Sequence, residues 1–173
     1  MLFFFFRMLF LFALIAGIVF LVYQLIVRPL SVQPRTGTPG PSAEEQKILL
    51  PLRLQACERF VLFLERINPN NLLLRVPQHG QPAPEYQAQL IRNIREEFEY
   101  NLSQQLYISQ STWELVRNAK EEAISLVNRA AARLPEQATA SDLSRAILDL
   151  SMEREKLPSV IAINAVKAEL RTL

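Results

Sequence analysis

The sequence is poor in the residues that build metal sites, disulfides and phosphate-binding loops. Its 173 residues include one cysteine, Cys57, one histidine, His79, and four glycines. A single cysteine excludes a disulfide within the chain and gives no sign of an oxidising compartment. Together with the single histidine, it also excludes a zinc site of such ligands and a di-iron bundle, which needs two Glu-x-x-His pairs. We therefore predict neither a metal site nor a cofactor-binding residue.

The sequence also lacks the common catalytic motifs. It has no Gly-x-Ser-x-Gly elbow, no Walker loop and no Gly-x-Gly-x-x-Gly turn. A dyad of Cys57 and His79 is disfavoured, because a reactive thiol needs an electropositive setting and Cys57 lies in an apolar helical stretch. His79 lies in a loop of glycine and proline. We predict no catalytic residue.

Three glutamates of one predicted helix, Glu96, Glu97 and Glu99, allow two interpretations. Paired carboxylates can perform acid–base catalysis when one of them lies in an apolar pocket. Arginines placed four positions before glutamates indicate instead a solvated helix face with weak ion pairs. The sequence favours this second interpretation. The pairs are Arg92 with Glu96, Arg95 with Glu99, and Arg117 with Glu121.

The charge of the predicted soluble domain is close to zero. Of the 19 lysine and arginine residues, all but Arg7, Arg28 and Arg35 lie after residue 43, together with all 17 acidic residues. Nucleic-acid binding needs a concentrated basic face that neutralises phosphates. We predict no nucleic-acid partner.

The longest apolar run lies near the N-terminus. Residues 8–27, between Arg7 and Arg28, contain no charged side chain. About twenty residues at about 1.5 Å each match a hydrocarbon core about 30 Å thick, and a chain in lipid must be helical to satisfy its backbone. A cleaved signal peptide is the alternative, but its apolar region is only about 7–15 residues long and ends at a small-residue site. We predict that residues 1–28 form a retained transmembrane anchor.

Basic residues flank the predicted anchor on both sides. Arg7 precedes it and Arg28 and Arg35 follow it, so the positive-inside rule does not choose an orientation. The lone Cys57 fits a cytoplasmic domain. We expect a single-pass protein of the inner (cytoplasmic) membrane with its soluble domain in the cytoplasm, and the periplasmic orientation is the alternative.

The predicted anchor is followed by a spacer and a helical domain. Residues 29–43 contain four prolines and two of the four glycines, which predicts a flexible linker. Residues 44–173 show helical spacing of apolar residues and no convincing alternation, so we predict an all-α domain of four to five helices. The first helix covers residues 44–67, and Pro51 marks a kink or a restart. Asn68 to Asn71 end it, residues 72–76 are extended or form one helical turn, and residues 78–84 form a loop.

The remaining helices are predicted from apolar rows and capping residues. Ser111 and Glu114 are spaced as a capping box for the third helix, which Pro135 ends. Ser141 is the predicted cap of the fourth helix, and residues 158–173 form the last, with its proline in the first turn. An i+4 row marks the second helix: Tyr86, Leu90, Ile94, Phe98, Leu102 and Leu106, supported by Ile91. The other predicted inner faces are Trp113, Val116, Ala123, Val127, Ala130, Ala131 and Leu134, then Leu143, Ile147 and Leu150, then Val160, Ile163, Val166 and Leu170.

Three residues are candidates for binding a partner. Trp113, the only tryptophan, is expected to anchor the core, and the alternative is an exposed ring that recognises another protein. Asn70 and Asn71 are expected to belong to a helix stop, with a binding role as the alternative.

Three segments of the soluble part resemble a known but uncharacterised family. They are residues 50–76, which include Leu-Gln-Ala-Cys-Glu-Arg-Phe, residues 94–109 and residues 113–128. The family comprises small, single-span helical proteins found mainly in Bacteroidota, and the similarity covers residues 46–150. It implies an N-terminal anchor and a cytoplasmic helical domain, with no known activity, ligand or catalytic residue. The Pro/Gly linker departs from relatives that continue in charged helical sequence, so a continuous helical stalk is not expected here.

These observations favour a non-enzymatic interaction or scaffold module at the membrane. Its expected partners are the lipid bilayer and other proteins or a second copy of the chain. The alternative is an enzyme or small-ligand domain with a site between helices. A deep polar pocket that holds a carboxylate of raised pKa would support that alternative.

Overall fold

The chain divides into two units, Met1–Ser42 and Ala43–Leu173. The structure, a computed structural model, describes residues 43–171 and, in the first unit, Phe3, Arg7, residues 14–17 and Phe20, which are helical and exposed. Most of the predicted anchor, residues 1–28, and of the predicted linker, residues 29–43, lies outside the described residues. Within the described part, no helix combines the length and the apolar character that a membrane crossing requires.

The second unit is built from helices, which confirms the all-α prediction. Residues 43–171 contain no strand, and their only β-type contact is an isolated antiparallel bridge between Pro82 and Thr139. Five longer helices and two short ones replace the four to five that the sequence predicts. They are α1 (Ala43–Arg66), α2 (Pro69–Arg75), α3 (Ala83–Asn101), a 3₁₀ helix (Leu102–Tyr107), α4 (Gln110–Ala131), α5 (Ala140–Met152) and α6 (Pro158–Leu170).

Helix α1 continues through Pro51 without the restart that the sequence allows. A proline inside a helix removes the hydrogen bond to the carbonyl four residues earlier, here that of Lys47. Both residues are exposed, so water can hydrogen-bond that carbonyl. The helix ends before Asn68, whose side chain accepts a hydrogen bond from the N–H of Asn70 and caps α2. The asparagine segment that ends α1 therefore also begins α2, and residues 72–75 are helical rather than extended.

The apolar row of α3 is correct over three turns and wrong at its end. Tyr86, Leu90 and Ile94 are completely buried, and Phe98 packs against the core. Leu102 and Leu106 are 40% and 79% exposed. The α-helix ends at Asn101, and the 3₁₀ helix that follows has three residues per turn rather than 3.6. The change of period turns both leucines away from the ridge.

Two helices begin earlier than their predicted caps. Ser109 caps α4, because its side chain accepts the N–H of Thr112, so the predicted box of Ser111 and Glu114 is wrong. Thr139 caps α5 in a capping box with Asp142, so the predicted cap Ser141 is also wrong. In each case the predicted serine already lies in the first turn of the helix. The side-chain and backbone hydrogen bonds from Thr139 lower the pKa of Asp142.

The cap of α5 provides a direct test of this assignment. We expect Thr139→Ala to lower the free energy of unfolding by about 1 kcal/mol, because an orphan N–H of the first turn loses its acceptor. Ser141→Ala serves as the matched control, and we expect a change below about 0.5 kcal/mol. Urea unfolding followed by circular dichroism measures both variants. Equal losses for the two variants would contradict the assignment.

The core lies between α1, α3, α4, α5 and α6, and it includes a cluster of aromatic rings from α1, α3 and α4. The ring of Phe98 stacks on Trp113 at 5.4 Å between centroids, Phe60 contacts Trp113 at 5.9 Å, and Phe63 contacts Phe98 at 5.7 Å. The predicted inner face of α6 is wrong at Val160, which is 39% exposed. The core-facing residues of α6 are Ser159, Ala162, Ile163, Val166 and Glu169.

Candidate functional site

The three predicted partner-binding residues have structural roles in the described unit. Trp113 is 7% exposed, and its ring packs against Phe60 and Phe98 in the core. Asn70 and Asn71 are on the surface at the start of α2. The N–H of Asn70 donates to the side chain of Asn68, and Nδ2 of Asn71 donates to the carbonyl of Glu65 at 2.9 Å. The asparagines thus stabilise the turn between α1 and α2.

Cys57 and His79 do not have the properties of a catalytic pair. Cys57 is 1% exposed, and burial raises the pKa of its thiol above the ordinary value of 9.0. The charge of Glu169 raises this pKa further, whereas Arg53 opposes the shift. His79 lies in an exposed loop. A protonated, buried thiol is a poor nucleophile. Because its folded-state pKa is raised, Cys57 contributes stability below about pH 9, and this contribution is lost as the pH rises through the folded-state pKa.

A buried carboxylate joins three elements of the fold. Glu169 of α6 accepts the N–H of Ser109 at Oε1 (2.6 Å) and its hydroxyl at Oε2 (2.9 Å). Nη2 of Arg53 in α1 lies 3.6 Å from Oε1, and the Glu169 side chain is 7% exposed. Arg53 also donates from Nε to the carbonyl of Tyr107 at 3.4 Å. We refer to Glu169, Ser109 and Arg53 as the Glu169 cluster.

The Glu169 cluster fastens helices rather than presenting a reactive group. Both carboxylate oxygens accept hydrogen bonds from Ser109, which is itself the cap of α4. Sequence reasoning missed this cluster. The available signal was the position of Glu169, three residues after Val166 on the apolar face of the last helix, where an acidic side chain needs a partner.

An accessible polar groove lies between α1 and α3, and a second open hollow, of about 670 Å³, lies between α3 and α4. Two hollows of about 370 Å³ and 380 Å³ share Arg66, Glu97 and Tyr100 in their walls. We define the α1–α3 groove by six residues that line these hollows. They are Arg59, Leu62 and Arg66 of α1, and Asn93, Glu97 and Tyr100 of α3.

Glu97 holds two arginines at one side of this groove. Its Oε2 accepts from Arg66 and its Oε1 from Arg75, each at 3.0 Å, and the Glu97 side chain is 14% exposed. Nη1 of Arg75 also lies 3.4 Å from the side-chain oxygen of Asn93. Nε and Nη2 of Arg75 are buried without a hydrogen-bond partner within the described residues. Arg66 and Arg75 thus share the carboxylate of Glu97, and two nitrogens of the Arg75 guanidinium lack a hydrogen-bond acceptor within the described residues.

The ion pairs of the structure differ from those that the helical spacing predicts. Within residues 43–171, no ion pair joins Arg92 to Glu96 or Arg95 to Glu99, and Glu121 pairs with Lys120 instead of Arg117. Glu97 binds arginines that reach α3 from other helices. Partners that approach from elsewhere in the chain cannot be read from an i+4 pattern.

Two large side chains stand exposed on opposite sides of the groove. Tyr100 of α3 is 76% exposed and Leu62 of α1 is 55% exposed. The guanidinium carbon of Arg59 lies 5.8 Å from the centre of the Tyr100 ring, within the range of a cation–π contact. Tyrosine and arginine are the residue types enriched in the energetically important parts of protein interfaces. Sequence reasoning missed Tyr100, because it lies on the polar face of α3 among glutamates.

The comparisons with known proteins identify a family. Residues 4–173 match the family described as "Family of unknown function (DUF7935)". The chain belongs to this family. No curated protein and no solved structure matches the chain. This match confirms that the chain belongs to an uncharacterised family, and it covers almost the whole chain rather than residues 46–150 alone.

DUF7935 membership carries no activity, so the chemistry must come from the geometry. The carboxylate of the Glu169 cluster is buried and accepts two hydrogen bonds from Ser109. The α1–α3 groove is open, and it combines an exposed aromatic ring, an exposed leucine and fixed charges. Such a surface can bind another protein through apolar contact and hydrogen bonds.

Proposed function

We propose that this chain is a membrane-anchored, non-enzymatic module that binds a protein partner through the α1–α3 groove. The observation that carries the proposal is the pair of exposed side chains, Tyr100 and Leu62, on the two sides of a groove whose charges Glu97 holds in place. Apolar anchors surrounded by charged and polar groups are the arrangement that protein interfaces use for affinity and register.

The groove also indicates the chemistry of the partner. The guanidinium of Arg59 lies over the Tyr100 ring and forms no ion pair within the described residues. Arg66 shares its carboxylate with Arg75. A partner segment with an apolar side chain next to a carboxylate would contact Tyr100 and Leu62 and pair with Arg59 at the same time. A charge-assisted hydrogen bond at this position would add specificity to the apolar contact.

The non-enzymatic part of the proposal is supported by the interior of the unit. A hollow between the α1–α2 junction, α4 and the start of α6, lined by Ile67, Ala119 and Pro158 among others, has a volume of about 20 Å³. That is room for roughly one water molecule and not for a metabolite. The wider hollows of the described unit, of about 370, 380 and 670 Å³, are open at the surface. A small-ligand site enclosed between helices therefore has less support than a protein contact in the open groove.

The membrane anchor is supported by the sequence of the first unit. Residues 8–27 carry no charge and have the length of a bilayer-spanning helix. In this proposal the anchor crosses the inner membrane once, and the helical unit lies on the cytoplasmic side. The family resemblance implies further that the protein comes from Bacteroidota.

Site-specific cross-linking of the full chain in its native membranes tests the groove. A photoreactive amino acid at position 62 should yield one discrete protein adduct, and Tyr100→Ala should reduce it at least about tenfold, the loss of about 1.4 kcal/mol or more typical of an interface anchor. The photoreactive residue at position 74 is the control, because Leu74 is 86% exposed and lies outside the groove.

Two outcomes would overturn the proposed groove. One is equal cross-linking from positions 62 and 74, and the other is an adduct that Tyr100→Ala leaves unchanged. Tyr100→Ala should keep the melting temperature of the protein, since the side chain is mostly solvent-exposed. Alkaline extraction of the same membranes tests the proposed anchor independently of the groove. If the anchor spans the membrane, the full chain should stay in the membrane pellet.

A further inference from the structure

An asparagine at the floor of the α1–α3 groove has an unused hydrogen-bond acceptor. Asn101 and Phe63 line the hollow of about 370 Å³ and are 6% and 1% exposed, whereas Leu62 and Tyr100 beside them are exposed. Nδ2 of Asn101 donates to the carbonyl of Glu97 at 2.7 Å, so the other atom of the amide is the oxygen. This oxygen, Oδ1, accepts no hydrogen bond within the described residues and is not fully enclosed. It can therefore be reached from the groove.

The place of Asn101 in the chain offers its oxygen a structural role that the fold does not use. Asn101 is the N-cap residue of the 3₁₀ helix. An asparagine that caps a helix uses its side-chain oxygen to accept an N–H of the turn that follows. Here the side chain forms no such cap, and its amide turns back to Glu97 in α3. A mostly buried polar atom without a protein partner needs a donor from outside the fold.

The charges that line this hollow favour a neutral donor. The lining carries two arginines, Arg59 and Arg66, and two glutamates, Glu58 and Glu97. A charged donor therefore gains little net attraction at Asn101, whereas a neutral N–H fits a neutral acceptor. The main-chain N–H is the neutral donor that every residue except proline carries. The free oxygen thus suits the backbone of a protein partner.

An extended segment can contact the floor and both sides of the groove at once. Successive side chains of an extended chain point to opposite faces, and its N–H and C=O groups point sideways between them. A segment that runs along the groove can therefore place one side chain against Leu62, the next against Tyr100, and an N–H over Asn101. A helical segment cannot do so, because its N–H groups beyond the first turn are bonded internally.

We infer that the partner binds the α1–α3 groove as an extended segment, one main-chain N–H of which donates to Oδ1 of Asn101. Leu62 and Tyr100 then supply apolar contact, and Asn101 fixes the position and the direction of the partner's backbone. This inference rests on the proposed function of the groove and adds the conformation of the partner to it.

The photoreactive residue at position 62 of the full chain in native membranes provides the first test. Asn101→Leu should reduce the adduct at least about fivefold, because a donor of the partner then stays buried without an acceptor. Asn128→Leu is the matched control, since Asn128 lies on α4 outside the groove and its oxygen already accepts from Gln87 at 2.9 Å. It should leave the adduct unchanged. The melting temperature of both variants shows that they fold.

A second measurement on the wild-type protein needs no variant of Asn101. Mass spectrometry of the adduct gives the cross-linked segment of the partner, and synthetic peptides of that sequence carry one methylated main-chain nitrogen each. Methylation at one position should weaken binding to the full chain in detergent about tenfold, because it removes the N–H that Asn101 accepts. The same peptide should bind Asn101→Leu within about twofold of the unmethylated one, since that contact is already lost. Fluorescence anisotropy measures both affinities.

The outcomes separate this inference from the proposed function. An adduct that Tyr100→Ala removes and Asn101→Leu leaves unchanged supports the groove and overturns the role of Asn101. Without an adduct that depends on Tyr100, both fall. A peptide that does not bind the wild-type chain, or whose methylation weakens binding to both proteins equally, overturns the main-chain contact. Equal weakening from methylation at many successive positions would indicate a helical partner and also overturns it.

Discussion

Replacing Trp113 with alanine should lower the free energy of unfolding by about 4 kcal/mol, the cost of a large aromatic truncation in a closed core. The indole is 7% exposed and contacts the rings of Phe98 and Phe60 at 5.4 and 5.9 Å. Its removal leaves a cavity between α1, α3 and α4, because Phe60, Phe98 and Trp113 belong to these three helices. Urea unfolding of the full chain in detergent, followed by circular dichroism, measures the loss.

Tyr100→Ala is the matched control for this prediction. Tyr100 is also aromatic but 76% exposed, so its truncation should change stability by less than about 0.5 kcal/mol. The two variants separate core from surface. Trp113→Ala should destabilise the protein, and Tyr100→Ala should reduce partner binding at constant stability. A Trp113→Ala protein as stable as the wild type would mean that the tryptophan is not part of the core.

Glu169→Ala should lower the free energy of unfolding by about 3 kcal/mol, since hydrogen bonds to a buried charged group contribute about 1.5–3 kcal/mol each and are not fully additive. The substitution removes the acceptor of both Ser109 hydrogen bonds, at 2.6 and 2.9 Å. Arg53 adds less, because its side chain is 39% exposed and water screens the pair. The last helix then loses its polar attachment to the start of α4.

Two further variants show whether the carboxylate acts through Ser109. Glu169→Gln keeps one acceptor oxygen, so its loss should be about half that of Glu169→Ala. In a double-mutant cycle with Ser109→Ala, the combined loss should be smaller than the sum by about 1 kcal/mol or more, because both changes break the same bonds. Glu155→Ala, on an exposed loop, is the neutral control. Strict additivity would show that the Ser109 contacts contribute no coupling.

The separation between Trp113 and Tyr100 clarifies how the proposed interaction surface arises. The sequence offers Trp113 as the aromatic candidate for recognition, and the fold buries it. Tyr100 lies two residues after Phe98, and this offset is enough to turn it from the core to the groove. The rotation of α3 about its axis relative to α1 therefore determines which aromatic side chain can bind a partner. The residue type does not.

Several features could be predicted from the sequence because they depend on residues close together in the chain. Periodicity places Tyr86, Leu90 and Ile94 in the core of an all-α unit, and the proline after Asn68 separates two helices. The single cysteine and histidine exclude an internal disulfide and a zinc site of such ligands. The absence of charge over residues 8–27 is likewise a property of the chain alone, and the membrane anchor stays a prediction.

Only the tertiary structure decided the rest, because the decisive partners are far apart in the sequence. Glu97 binds Arg66 and Arg75 rather than the arginines one turn away, since α1 and α2 bring those guanidinium groups to α3. Glu169 meets Ser109 across 60 positions because α6 packs beside the start of α4. The change from α to 3₁₀ geometry after Asn101 exposes Leu102 and Leu106, which a regular i+4 row would have buried. Local sequence patterns determine which segments become helices. The packing of helices that are distant in the sequence determines which of their side chains stay exposed and can bind a partner.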